Sequence, residues 1–130
     1  MLKIHNLKDR ICGHRDNGGH ATEIPAGARL LFCNGQVGSL QDGTVPNDVS
    51  EQVDIIFDRI AHILEAGRMS FSDIAKVSVY VTDAKYLDDY YEARPRYMGD
   101  HNPPTVLLVV GPFPRPGVQM EVEVLAAKVD

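Results

Sequence analysis

Residues Met120-Glu121-Val122-Glu123-Val124-Leu125-Ala126 alternate apolar and acidic side chains at the period of an extended strand. Successive strand side chains point to opposite sides, so Met120, Val122, Val124 and Ala126 share one face while Glu121 and Glu123 share the other. The apolar face demands a cover. The acidic face lies mid-strand, not at a turn, so two carboxylates line the uncovered side of a sheet. They are either ordinary solvated residues or the floor of a site.

The rest of the chain supplies the cover. Asp48-Val49-Ser50-Glu51 opens a helix with a capping-box-like pattern. Val49, Val53, Ile56, Phe57, Ile60, Ile63 and Leu64 then recur at helical spacing, and Gly67 is expected to close the helix in a left-handed conformation. Ile74 to Val81 reads as a β-branched strand. A second helix is expected from near Asp83 or Ala84 through Tyr86, Leu87, Tyr90 and Tyr91, with Pro95 breaking or kinking it. Thr105 to Val110 is an apolar strand, residues 111–117 are a stiff Pro-rich connection, and Val118 to Lys128 is the last strand. Upstream, Leu2 to Leu7 and His20 to Pro25 read as strands around an Asp16-Asn17-Gly18-Gly19 turn. Ala28 to Cys33 is a third strand running into Asn34-Gly35-Gln36, where the glycine suggests a bulge. The order β-β-β-α-β-α-β-β describes one α+β domain over residues 1–130, with two crossover helices on one face of a mixed sheet. Its other face is bare and invites symmetric association.

Charge and composition exclude several classes. The chain has 130 residues, 44% of them apolar, and a net charge of -5, which fits a single globular domain and argues against disorder. Arg94 and Arg96 form the only close pair of arginines, beside Asp88, Asp89 and Glu92, so there is no basic stripe for nucleic acid. Cys12 and Cys33 form no CxxC, and Cys33 reads as a reduced, buried thiol. The five histidines lack metal-ligand spacing, so no metal is expected. No cleavable leader and no membrane-length apolar run is evident, which points to the cytoplasm. Tyr86, Tyr90 and Tyr91 read as a packing stripe, and Phe113 as a tucked loop aromatic.

Three stretches together resemble the RidA/YjgF family: Asn34-Gly35-Gln36, Ile63 to Gly67 followed by Asp73 to Asp83, and Met120 to Val124. The resemblance covers nearly the whole chain. It implies a chorismate-mutase-like fold, a homotrimer whose sheets form a central barrel, and clefts between subunits that take a small-molecule ligand without a cofactor. It places the family's water-holding glutamate at Glu121, and it edges the cleft with Asn34, Gly35 and Gln36. The start of the penultimate strand, Thr105, Val106 and Leu107, also lines it. Where the family carries the arginine that pairs with a substrate carboxylate, this chain has Thr105, and the frequent cysteine two residues on is Leu107. The family's N-terminal tyrosine falls nearest His20, and a helix asparagine falls near Tyr90 or Tyr91. Arg115 and Arg29 are the candidate replacement cations.

A threonine cannot reproduce a bidentate guanidinium–carboxylate pair. The expected function is therefore a deaminase-type hydrolase acting on a C=N bond of a small reactive imine, enamine or related metabolite that differs from the usual 2-imino acids. Glu121 would act there as the base that orients water. Two alternatives stand beside it: a metabolite-binding trimer without turnover, and, less favoured by the acidic charge, an endoribonuclease or translation inhibitor.

Overall fold

The computed structural model describes residues 1–11 and 18–130; Cys12, His14 and the Asp16-Asn17 half of the expected turn lie outside the described residues. The elements follow the expected order. Strands β1 (Lys3–His5) and β2 (Ala21–Glu23) pair antiparallel as a separate two-stranded ribbon. Then come β3 (Arg29–Val37), α1 (Val49–Ala66), β4 (Ile74–Val81), α2 (Leu87–Met98), β5 (Thr105–Val109) and β6 (Met120–Lys128). The main sheet has the order β3-β6-β4-β5 and is antiparallel except between β4 and β5. That parallel pair needs a crossover, which α2 provides.

One face of this sheet is the core. Val77, Val79 and Val81 of β4, with Met120, Val122, Val124 and Ala126 of β6, are buried together with Val53, Ile56, Phe57, Ile60 and Leu64 of α1. Tyr90 of α2 joins them, and Phe57 stacks on Tyr97 at 4.7 Å between ring centroids. The other face is open. Leu30, Phe32 and Leu108 are 52%, 76% and 48% exposed there, beside Glu121 and Glu123.

Three local expectations need correction. Gly67 is not left-handed: its φ is -85°, and Arg68 takes the left-handed turn at φ 57°. A side chain at 67 would instead crowd β3, since a Cβ there would lie 2.8 Å from Leu31 Cδ2, which would have to turn aside. Pro95 does not end α2, which runs on to Met98. It sits exposed in the last turn, where the carbonyl it fails to bond can meet water. The second helix also begins later than expected. Asp83 accepts from the Lys85 amide and caps a 3-10 turn, Ala84–Tyr86, from which α2 continues. Asp48, as expected, caps α1 by accepting from the Ser50 amide at 2.9 Å.

Cys33 lies 5% exposed on the core face of β3, and burial pushes its thiol pKa up. A raised pKa and poor access both suppress thiolate chemistry. Alkylation of the native protein should leave the Cys33 peptide unmodified by mass spectrometry, and labelling should follow denaturation. Rapid labelling under native conditions would contradict the burial.

Candidate functional site

Glu121 and Glu123 occupy the open face of the central strand β6. Glu121 is opposite Val37 of β3 and Tyr80 of β4, while Glu123 is opposite Ser78. Between Cys33 and Gln36 the β3–β6 register slips, so Asn34 and Gly35 form a bulge beside β6. The slip has a steric consequence. A Cβ on Gly35 would stand 2.8 Å from Glu121 Cδ and 2.9 Å from its Oε2, so the Glu121 side chain lies directly on the bulge. Only a glycine leaves that space.

The two acids are not equivalent. Glu123 Oε1 accepts from the Tyr80 hydroxyl at 2.8 Å. Glu121 has no hydrogen-bond or ion-pair partner among the described residues, although it is half-buried. A carboxylate in that condition can bind water. Tyr80, Glu121 and Glu123 line a groove of about 340 Å³ walled by Val110, Gly111, Pro112, Phe113 and Pro114. Phe113, read from the sequence as a tucked aromatic, thus borders the acids. Glu123 also borders a neighbouring groove with Asn34, Phe32, Lys76 and Ser78.

Other candidate residues fall elsewhere. Gln36 returns to the register of Val122, and its Nε2 donates to the Asn34 carbonyl at 2.9 Å. Val106 is on the open face opposite Ser78, but Thr105 and Leu107 pair with Val77 and Val79 and so face the helices. Tyr91 of α2 is half-buried and edge-on to Tyr90 at 5.7 Å. His20 is exposed, and its Nδ1 accepts from the Leu7 amide at 2.9 Å. Glu121 and Gly35 thus stand on one side of the sheet and Thr105 on the other.

The cation at Thr105 comes from an unforeseen residue. Arg94 of α2, 7% exposed, donates from Nη1 to Thr105 Oγ1 at 2.7 Å and to the Tyr90 hydroxyl at 2.9 Å. Its Nη2 donates to Asn102 Oδ1 at 3.0 Å and to the Pro103 carbonyl at 3.2 Å. Thr105 completes the knot by donating to that same carbonyl at 3.0 Å. Arg29 instead pairs with Asp130, and Arg115 donates to the Gly43 carbonyl, so neither candidate cation stands at Thr105. Arg94 lies one helical turn after buried Tyr90, on the same helix face, but its polar type gives no sign of burial in the sequence. Among the described residues, no cluster of three or more His, Cys, Asp or Glu could hold a metal ion, and no helix is long and apolar enough to cross a membrane.

Comparison with known proteins places this geometry. The family model described as Endoribonuclease L-PSP matches residues 21–128. The RutC family protein PH0854 of Pyrococcus horikoshii is 32% identical over 85% of this chain and 88% of its own. The Escherichia coli protein named "Putative reactive intermediate deaminase TdcF" is 26% identical over 76% of this chain and 79% of its own. Among solved structures, the Rid-family protein YyfB of Yersinia pestis superposes with a TM-score of 0.83, covering 98% of both chains at 19% identity. That likeness establishes the α+β, chorismate-mutase-like fold expected from the sequence.

Proposed function

The chain belongs to the Endoribonuclease L-PSP family, the RidA/YjgF group, and from that membership and the site we propose that it hydrolyses the C=N bond of a small reactive imine, or of the imine tautomer of an enamine. The observation that carries the reading is the Glu121 carboxylate: half-buried, unpartnered among the described residues, and seated on the Gly35 bulge at the edge of a groove. Glu121 takes a proton from a bound water as the water oxygen attacks the imine carbon. The proton passes to nitrogen, and the carbinolamine collapses to a carbonyl and ammonia. No cofactor enters these steps. The name of the deaminase relative supports this chemistry, and the net charge of -5 weighs against RNA as substrate.

The reading includes assembly. Three copies would pack open face to open face, burying Leu30, Phe32 and Leu108, and would set the groove beside Glu121 of one protomer against the open face of its neighbour. Thr105 offers no fork for a carboxylate, because its hydroxyl already accepts from Arg94 and donates to Pro103. The substrate therefore differs from the common 2-imino acids. Sedimentation at three times the 14.3 kDa chain mass is the expected result.

The deciding assay mixes the protein with freshly generated 2-iminopropionate and a panel of neutral or larger imines, and follows ammonia release. At least one neutral imine should react faster than in buffer, and faster than 2-iminopropionate. Ligands that raise Tm without any product would replace this reading with a binding module.

Gly35→Ala provides an independent check. The new Cβ must push the Glu121 side chain off the bulge, and the displaced atoms belong to a flexible side chain. Stability should change by less than about 1 kcal/mol, while kcat falls about tenfold or more as the base is misplaced.

A further inference from the structure

Tyr80 stands between the two acids. It is the direct cross-strand partner of Glu121, yet its hydroxyl donates to Glu123. Glu123 is thereby drawn over β4, whereas Glu121 leans over β3, where Gly35 makes room. The two carboxylates share a face two residues apart, so their Cα atoms are separated by about 7 Å. At that spacing two freely moving carboxyl groups can meet and share a proton.

We infer that Tyr80 is a positioning residue of this site: it ties Glu123 over β4 and so leaves Glu121 to act alone as the base. The inference rests on the hydrolase reading above. The hydroxyl is a durable tie, because the accepting carboxylate opposes its ionisation and holds the Tyr80 pKa above the usual phenol value. Few other charges face the pair. Lys76 of β4, opposite Leu125, shares the neighbouring groove with Glu123, and the wall at residues 110–114 brings no titratable side chain. Neither β3, through Asn34 and Gly35, nor β5, through Val106 and Leu108, presents one on this face. Without the hydroxyl, Glu123 loses the donor that favours its charged form and is free to turn toward Glu121.

Tyr80→Phe tests this with two readouts: the pH profile of kcat/KM, and carboxyl titration of Glu121 and Glu123 by 13C NMR. The acid-side midpoint of the profile should rise by about one unit, because the base now competes with a mobile neighbour for a proton. In this variant the two carboxyl titrations should become biphasic and shared. Superimposable profiles and unchanged carboxyl titrations would reduce Tyr80 to packing. Glu123→Gln forms a second arm should the phenylalanine variant fold poorly. Its amide oxygen still accepts from Tyr80, so with the acids held apart the acid-side midpoint should move by less than about one unit; a larger fall would mean that the two acids share a proton in spite of the tie and would overturn the inference. Full activity in Glu121→Gln would instead sink the hydrolase reading, and the NMR titrations would still decide the role of Tyr80.

Discussion

Gln52→Leu should destabilise the protein by about 3 kcal/mol or more, the largest stability loss expected from a substitution of similar volume. Gln52 is fully buried on α1, and its amide group ties together two loops, one through Pro46 and the other through Gly117 and Gln119. Nε2 donates to the Pro46 carbonyl at 2.8 Å and to the Gly117 carbonyl at 2.9 Å, while Oε1 accepts from the Gln119 amide at 3.1 Å. Leucine fills the space but leaves two carbonyls and one N–H without partners. These groups are only part-buried, so each orphaned one costs about 1 kcal/mol, rising toward about 3 where water cannot replace the lost partner, and the extra apolar contact offsets this only in part. For a chain this size, 3 kcal/mol lowers Tm by about 10–15 °C. Gln52→Glu should be no better, because it replaces the double donor with a charged acceptor facing two carbonyls. Chemical denaturation at fixed protein concentration measures both. A loss below about 1 kcal/mol would mean that the two loops re-form their bonds with water. The effect also bears on the site, since Gly117 and Gln119 lead directly into β6 and its acids.

Gln52 shows where sequence reading ran out. The periodic pattern of α1 was legible because Val49, Val53, Ile56, Phe57, Ile60 and Leu64 repeat at helical spacing, and all are buried as expected. Gln52 falls three residues after Val49 and four before Ile56, on the same stripe, but its polar type hid it. Arg94 was hidden in the same way, one turn after Tyr90. Polar core residues depend on partners distant in sequence, such as Gly117 for Gln52, and no local pattern announces them. The cap at Gly67 was misread for a related reason: its missing side chain answers to Leu31 on β3, not to its own backbone angle. The face shared by Glu121 and Glu123, by contrast, follows from strand alternation alone. The opposite orientation of Thr105 does not, because it needs the parallel register of β4 with β5.

Glu121→Gln should lower the rate of imine hydrolysis by about 10²–10⁴-fold, the range expected for loss of a positioned general base. Glutamine keeps the shape of the side chain over Gly35 but cannot take a proton from water. The fall should be in kcat, with KM little changed, because the lost interaction acts in the transition state. Stability should hold or rise slightly. The carboxylate has no partner to orphan among the described residues, and its removal relieves like-charge repulsion with Glu123 two residues away. That combination separates a site residue from a structural one, since a glutamate that supported the sheet would lose stability and activity together. Glu123→Gln is the matched control: its amide oxygen can still accept from Tyr80, so the loss should stay below about tenfold. Equal losses in the two variants would assign the base to the pair, not to Glu121. Undiminished turnover in Glu121→Gln would move the chemistry away from the open face of β6 altogether.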